Sequence, residues 1–206
     1  MPAPLAPGFF ARDALEVAHD LVGCRIARDD VVLRITEVEA YRHLPAPGDT
    51  ANHARMGRTP RNAPMWGPPA HLYVYLCYGM HVMLNLVTGR EGEAAAVLVR
   101  GAEPLEGIAR VRVRRSVGRC APEGPSLLDG PGKVGQALGL SVAHSGLPLG
   151  HPDALCVYTR EGSVRLATGP RVGIDYAAPE HVAAPWRVAD ADSRWVGHRA
   201  SLRAGP

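Results

Sequence analysis

With 206 residues, of which 46% are hydrophobic, the chain is long enough for one domain with a substantial core. The formal net charge is only +3, and no apolar run approaches the ~20 residues that a membrane helix needs. The first residues lack the charged start and continuous apolar stretch of a signal peptide. These features predict a cytoplasmic protein rather than a membrane-spanning or secreted one.

The first half of the chain predicts a helix, a strand pair and a long loop. Apolar residues at helical spacing indicate a helix near Ala11–Val22, and strands are predicted at Arg25–Arg28 and Val31–Tyr41. Residues 42–69 contain six prolines and no periodic pattern. A loop this long inside a compact domain is usually functional or disordered, and its arginines and His53 favour function.

The second half alternates strands with short helices. Residues 71–88 predict two strand arms that are broken at Tyr78 and Gly79. The further predicted elements are a strand at Ala95–Arg100, a helix with a basic face over 104–119, a short helix opened by Gly130–Lys133, and strands at Leu155–Arg160 and Ser163–Ala167. One mixed α/β domain over residues 1–206, with loose termini at 1–8 and 199–206, accommodates these elements.

The basic residues are almost all of one type, because Lys133 is the single lysine among 23 lysines and arginines. A GC-rich genome would produce the same bias, so the excess of arginine alone assigns no function. Arginine nevertheless suits phosphate recognition, whereas imine chemistry on a sugar needs an amine nucleophile. In this chain only Lys133 and the N-terminal amine could supply one.

The four cysteines lie far apart, and no pair has the C-x-x-C spacing of a zinc ribbon or a redox centre. Free cysteine packs as a small hydrophobic residue. We therefore expect Cys24, Cys77, Cys120 and Cys156 to be reduced thiols, most of them buried.

The strand VLRITEVEAY carries two carboxylates. Strict alternation would place Leu33, Ile35, Glu37, Glu39 and Tyr41 on one face, which changes from apolar to polar along the strand. The two carboxylates, about 6–7 Å apart at ~3.3 Å per residue, could divide acid and base roles. Alternatively, one activates water while the other holds an arginine, or both are ordinary surface charges at a strand end.

Three tyrosines cluster in the apolar stretch LYVYLCYGM. Tyr73 and Tyr75 are two residues apart, so their rings should face the same way, and Tyr78 lies at the predicted turn. Aromatic side chains on an exposed hairpin can stack on bases or wedge into a duplex. An ordinary aromatic core is the alternative interpretation.

The segment Gly130–Lys133 combines a helix start with one cation, which together can make a seat for phosphate. It lacks the G-x-x-x-x-G-K-[ST] pattern, because Val134 replaces the hydroxyl residue. A nucleotide-hydrolysing P-loop is thus rejected, and a phosphate seat and a plain turn remain as alternatives.

Six segments occur in one order: ITEVEAY, Asn52-His53, RTPRNAPMW, LYVYLCYGMHVMLN, VLVRGAEPLEG and GPGKVGQALGL. In this order they resemble the alkyladenine (3-methyladenine) DNA glycosylase family, the single-domain type without a helix-hairpin-helix. The resemblance runs from about Phe9 to Leu149 and more weakly to Gly197. It implies a curved antiparallel β core flanked by helices, with a protruding β-hairpin.

The resemblance also implies roles for particular side chains. The implied catalytic residues are Glu39, which deprotonates the attacking water, and Arg100, which helps to hold this water. The residues implied to contact a flipped base are Tyr41, His53, Tyr75 and Asn85, the last excluding guanine by its 2-amino group. The implied DNA contacts are Tyr78 as a minor-groove wedge, Met80 as its support, and Arg58, Arg61 and Lys133 at the backbone, with Val172-Gly173 on the DNA-facing loop.

A protein with these residues is expected to be a monofunctional DNA glycosylase of base excision repair. It would flip a damaged purine from double-stranded DNA and hydrolyse the N-glycosidic bond, leaving an abasic site. The implied lesion is 3-methyladenine, with ethenoadenine and hypoxanthine as further substrates. No metal or organic cofactor is required, no membrane is involved, and we expect a monomer.

Two other functional classes compete with this one. A non-catalytic protein that binds damaged DNA or structured RNA would use the same wedge and basic surface. It gains nothing from a carboxylate near phosphates, so the presence of Glu39 and Arg100 counts against it. A metal-dependent phosphoesterase would need clustered ligands, whereas the nine histidines are scattered.

Overall fold

A computed structural model of the protein describes residues 2–46, 48–116, 120 and 122–205. Within these residues the fold is mixed α+β, with one antiparallel sheet, flanking helices and a projecting hairpin, which confirms the predicted fold class. In the same ranges, every helix is too short or too polar to cross a membrane.

The elements form one sheet with helices around it. The helices are α1 (Pro7–Phe10), α2 (Ala14–Leu21), α3 (Ile108–Arg115), α4 (Pro131–Ala137) and α5 (Pro179–Ala183). The strands are β1 (Arg25–Arg28), β2 (Val31–Tyr41), β3 (Leu72–Cys77), β4 (His81–Val87), β5 (Ala96–Glu106), β6 (Cys156–Tyr158), β7 (Leu166–Gly169), β8 (Arg187–Asp190) and β9 (Arg203–Ala204). The strand order is β3-β4-β5-β2-β8-β7-β9, with β1 pairing to β2 and β6.

Two predicted helices have different boundaries in the structure. The helix expected near Ala11–Val22 begins only at Ala14, because Asp13 is not helical and its side chain caps α2 by accepting from the Leu15 N–H at 2.9 Å. The helix expected over 104–119 begins only at α3, because residues 104–106 continue β5, where Pro104 pairs with Leu33 and Glu106 with Val32 on β2. Its last predicted residues, 117–119, lie outside the described residues.

The C-terminal third departs most from the prediction. Strand β6 is shorter than predicted, β7 is displaced toward the C-terminus, and α5, β8 and β9 were not predicted. These elements have two to five residues, too few to show a helical or strand period. Their pairing with distant strands, such as β8 with β2, determines where they form.

The two longest strands, β2 and β5, lie side by side, and their register shifts three times, once between Val32 and Leu33 and twice around Glu37. At the two shifts around Glu37, the residue without a partner is Thr36 on β2 and Arg100 on β5. An extra residue reverses the side-chain alternation of a strand, so both strands change faces together. Glu37, between the two shifts, pairs with Gly101.

This reversal overturns the predicted face of β2. The core side of β2 is formed by Leu33 and Ile35 before the bulge and by Val38 and Ala40 after it. Glu39 and Tyr41 therefore face the other side of the sheet. Strict alternation was wrong here because it took no account of an inserted residue.

Beyond the bulges, one row of paired residues crosses five strands from β3 to β8. The row is Tyr73, Asn85, Leu98, Glu39 and Arg187. Residues directly opposite each other in a sheet point to the same face. The row therefore places an amide, a carboxylate and a guanidinium on one side of the sheet.

The main hydrophobic core occupies the opposite face, beneath α2, α3 and α4. The helical residues in this core are Ala14, Val17, Ala18, Leu21, Val111, Val134 and Ala137. Helix α4 lies so close to β4 that a Cβ atom at Gly135 would be 2.1 Å from the Val82 carbonyl oxygen. Glycine at this position allows α4 to pack beside the hairpin.

We expect Gly101→Ala to destabilise the protein by about 1–3 kcal/mol, because the sheet cannot accept an added methyl group at the bulge. Its Cβ would be 2.8 Å from the Trp195 carbonyl oxygen and 3.0 Å from Thr36 Oγ1. Urea unfolding measures the change. Gly8→Ala, whose Cβ would meet nothing within 4 Å, is the matched control. Equal stability of the two variants would contradict the tight packing of the bulge.

Candidate active site

A cavity of about 420 Å³ lies over the row of paired residues, on the face away from the main core. Its volume is within the range of sites that bind small organic molecules. Eight predicted site residues line it: Glu39, Tyr41, His53, Arg61, Tyr75, Tyr78, Asn85 and Arg100. These residues come from four strands, the hairpin turn and the long loop, so the tertiary fold brings them together.

The Glu39 carboxylate is fully buried and held by two hydrogen-bond donors and one ion pair. Its Oε1 accepts from the Val172 N–H at 2.7 Å and lies 3.2 Å from Arg100 Nη1, and its Oε2 accepts from the Tyr41 hydroxyl at 2.9 Å. A carboxylate offers about four acceptor sites, so these contacts leave one for a further donor such as water. The geometry is that of a fixed base beside a cavity.

A buried arginine supports Tyr41 from behind. The Arg171 guanidinium lies 4.7 Å from the Tyr41 ring and 4.8 Å from the Trp186 ring, and it donates to both oxygens of Asp49 at 2.7 and 2.9 Å. Burial, reinforced by the Glu39 charge, raises the pKa of Tyr41 well above its ordinary value. Tyr41 therefore remains a hydroxyl donor to Glu39.

Arg100 lies between the two carboxylates of β2. Its Nε donates to Glu37 Oε1 at 3.1 Å, while its Nη1 faces Glu39. Burial alone lowers the pKa of Arg100, but Glu39 and Glu37 raise it above the ordinary arginine value. Both carboxylates are buried, so the surface-charge interpretation is wrong. The arrangement matches the alternative in which one carboxylate holds an arginine.

Aromatic rings form one wall of the cavity. Tyr73 and Tyr75 stack with centroids 5.2 Å apart, which confirms that they face the same way. His53 meets Tyr75 edge-on at 4.6 Å, and the Arg61 guanidinium lies 5.2 Å from the same ring. Tyr73 is also buried in a small hydrophobic cluster with Met65, so the aromatic-core interpretation holds for this one ring. A wall of this kind accepts a flat ring by stacking.

His53 and Asn85 present polar groups with fixed partners. His53 Nδ1 lies 2.9 Å from the Tyr73 hydroxyl, and burial, together with Arg61 and Arg55, lowers the pKa of His53 to about 4. The imidazole is therefore neutral at physiological pH. Asn85 is buried and donates from Nδ2 to the Tyr73 carbonyl oxygen at 3.0 Å, which fixes its amide plane in the cavity wall.

The turn between β3 and β4 carries two exposed apolar side chains. Tyr78 is 88% exposed and Met80 is 71% exposed. Tyr78 also has φ of 51°, a left-handed conformation that is unfavourable for a residue with a bulky side chain. Strain of this kind clusters at functional positions.

Three of the predicted DNA contacts, Met80, Arg58 and Lys133, lie outside the cavity lining. Arg58 is exposed in the long loop. Lys133 Nζ is 2.5 Å from Asp129 Oδ1, in the first turns of α4. A Cβ at Gly132 would be 3.0 Å from the His81 Cβ, which places the start of α4 beside the hairpin. Val172 and Gly173 do line the cavity.

Sequence reasoning missed several residues that support the site. They are Asp49, Arg171, Tyr176 and Arg187, in loops and short strands without a periodic pattern. One signal in the sequence could have identified such residues, namely a charged side chain in an otherwise apolar segment, such as Arg187 in PWRVAD. A charge in such a segment is buried on folding and needs a buried partner. Their partners are distant in sequence, so the pairing itself was not predictable.

The cysteines are free, but only Cys24 is buried, and burial raises its pKa to about 11. Cys77 and Cys156 are half-buried and Cys120 is exposed, so the expectation of mostly buried thiols is wrong. Across the described ranges, histidine, cysteine and carboxylate side chains form no group of three that could hold a metal ion.

Comparison with known proteins gives consistent matches over most of the chain. The model of the Methylpurine-DNA glycosylase family matches residues 8–194. A Nitrosococcus oceani protein that carries a 3-methyladenine DNA glycosylase name is 55% identical over 199 residues, covering 97% of this chain and 96% of that protein. The DNA-3-methyladenine glycosylase of Arabidopsis thaliana is 52% identical over 193 residues, covering 93% of this chain and 73% of that protein.

We expect His53 to make folding stability depend on pH between about 4 and 6.5. Its pKa is about 4 in the folded protein against 6.5 ordinarily, so in this window the unfolded chain binds more protons. The contribution of His53 to the free energy of unfolding is complete above pH 6.5 and is lost as the pH falls toward 4. The free energies of unfolding of wild type and His53→Gln, measured with urea at several pH values, should therefore become more similar as the pH is lowered. His43→Gln, at an exposed histidine, is the control, and parallel curves for wild type and His53→Gln would contradict this prediction.

Proposed function

Since the chain belongs to the methylpurine-DNA glycosylase family, we propose that its cavity receives a damaged purine flipped out of duplex DNA and that Glu39 activates the water that cleaves the N-glycosidic bond. The chain is a 3-methyladenine DNA glycosylase, a hydrolase of N-glycosyl bonds in DNA repair. The observation that carries the residue assignment is the buried Glu39 carboxylate, held by two hydrogen-bond donors and the Arg100 ion pair beside an aromatic-walled cavity.

The role of Glu39 follows from the charge that develops on the sugar. As the bond to the base breaks, the sugar gains oxocarbenium character, which a nearby carboxylate stabilises. The same carboxylate accepts a proton from the attacking water through its remaining acceptor site. Arg100, which is permanently charged between two carboxylates, keeps Glu39 in place and helps to orient this water.

The aromatic wall recognises the flipped base. Stacking on Tyr41 and Tyr75 favours electron-poor alkylated purines, and a cationic lesion gains cation–π attraction. The neutral His53 adds no positive charge that would repel such a lesion. Asn85 is fixed by its hydrogen bond to the Tyr73 carbonyl oxygen and narrows the cavity. It thereby excludes purines that carry a 2-amino group.

The hairpin and the basic loop engage the DNA. Tyr78, exposed and conformationally strained at the turn, enters the minor groove and fills the gap left by the flipped nucleotide, with Met80 beside it. Arg58, Arg61 and Lys133 contact the backbone. Lys133 Nζ lies against Asp129 and outside the cavity, which argues against attack on the sugar by this amine and supports an abasic site as the product.

The proposal extends to substrates, assembly and location. Ethenoadenine and hypoxanthine are further lesions for this cavity, since both are flat purine derivatives without a 2-amino group. The enzyme works as a monomer on double-stranded DNA that contains damaged purines, in the cytoplasm, and at the nucleoid if the chain is bacterial. The non-catalytic binder remains the second candidate, and the next experiment separates it from the enzyme.

We expect Glu39→Gln to lower single-turnover base release by about 10²–10⁴-fold without abolishing lesion binding, because the amide cannot accept the proton of water. The assay uses duplex oligonucleotides with one ethenoadenine or hypoxanthine, and alkylated DNA for 3-methyladenine, in EDTA. Wild type should produce strand breaks only after alkali. The matched control is Asp192→Asn, at a surface carboxylate paired with Arg165. Binding by both proteins without base release by either would favour the non-catalytic binder.

We expect Tyr78→Gly to reduce base release from duplex DNA much more than from single-stranded DNA, because only the duplex needs a wedge. Its folding free energy should be unchanged or slightly more favourable, since glycine adopts a φ of 51° without strain. Single-turnover rates on matched duplex and single-stranded substrates measure the first effect, and urea unfolding measures the second. An equal loss on both substrates would count against the wedge.

A further inference from the structure

Glu37 lies behind the proposed catalytic pair and does not line the cavity. Its side chain is 1% exposed, and its Oε1 accepts from Arg100 Nε at 3.1 Å and from Arg187 Nη1 at 2.9 Å. Its Oε2 accepts from the Gly197 N–H at 2.9 Å. Glu37 thus joins the arginine that faces the cavity to a second buried arginine and to the C-terminal segment.

Arg187 connects this carboxylate to the loop that completes the site. It has no exposed side-chain area, and its Nε donates to the Pro170 carbonyl at 2.8 Å. Two residues later, the Val172 N–H donates to Glu39. The other guanidinium nitrogens of Arg187 donate to Gly197, His198 and Ser201. One buried ion cluster therefore fixes both Arg100 and the loop on either side of Glu39.

We propose that Glu37 is a positioning residue that shares Arg100 between two carboxylates, so that Glu39 remains both fixed and sufficiently basic to activate water. This proposal rests on the proposed function of Glu39. Four charges lie in one connected group, two carboxylates and two guanidiniums, and they balance. Without the Glu37 charge, Arg100 would interact with Glu39 alone, and a carboxylate next to an undivided positive charge is a weaker base.

Other groups also face Glu39 and contribute to its environment. The charged or titratable side chains that contact it, pair with it or line the same cavity, apart from Glu37, are Arg100, Arg187, Tyr41, Tyr75, Tyr176, His53 and Arg61, with Arg171 and Asp49 beside the tyrosines. Arg171 is paired with Asp49 through two hydrogen bonds, and the tyrosines are neutral because burial raises their pKa. Glu37 is therefore the carboxylate that shares Arg100 with Glu39 by direct contact.

The test compares single-turnover base release by wild type, Glu37→Gln and Glu37→Asp over about pH 5 to 9, with thermal unfolding measured for each. In Glu37→Gln we expect the acidic limb of the rate profile to move about one pH unit lower. The plateau should fall about tenfold, with lesion affinity unchanged. Glu37→Asp keeps the negative charge but shortens the side chain by one methylene. The acidic limb of its rate profile should therefore stay at the wild-type pH, while its plateau rate falls.

Glu103→Gln is the matched control, because it also removes a carboxylate from the β2–β5 strand pair. The ion-pair partner of Glu103 is Arg34, which does not line the cavity. The rate profile of Glu103→Gln should equal that of wild type. A folded Glu37→Gln with a wild-type limb and plateau would overturn the proposal. If that variant does not fold, an unchanged plateau in Glu37→Asp overturns it instead. Activity in Glu39→Gln equal to wild type would instead refute the proposed function itself.

Discussion

An arginine shared between two buried carboxylates is the interaction on which the rest of the site depends. Taking charges out of water costs several kcal/mol for each ion, which is repaid only when geometry and hydrogen bonds are good. Here Arg100, Glu37, Glu39 and Arg187 form a connected, charge-balanced group, completed by backbone N–H groups at Val172 and Gly197. The surrounding sheet must therefore hold its register, because a slip of one residue would leave a charge unpaired.

The paired bulges in β2 and β5 make this arrangement possible. They let the two strands supply apolar side chains to the core along their whole length while turning Glu39 and Arg100 to the cavity. Gly101 is the local requirement, since a side chain there would meet the Trp195 carbonyl oxygen. The same sheet thus provides both the stable core and a rigid support for the proposed catalytic carboxylate.

The site combines rigid and exposed parts. Its inner half consists of fully buried groups such as Arg171 and Asp49, whose two hydrogen bonds hold the Arg171 guanidinium against the Tyr41 ring. Its outer half is the hairpin turn, where Tyr78 and Met80 are exposed although both are apolar. This division suits a protein that positions one base precisely inside and contacts a long polymer outside.

The family, the central strands and most of the cavity-lining residues could be predicted from local motifs, because ITEVEAY and LYVYLCYGM are long and locally patterned. The roles of those residues stay predictions. Two features became visible only in the folded chain: which face of β2 meets the core, and that Glu37 points to Arg100 and Arg187 rather than to solvent. Both a bulge and the partner of a buried charge depend on residues more than sixty positions away, and a local sequence period carries no information about residues that distant.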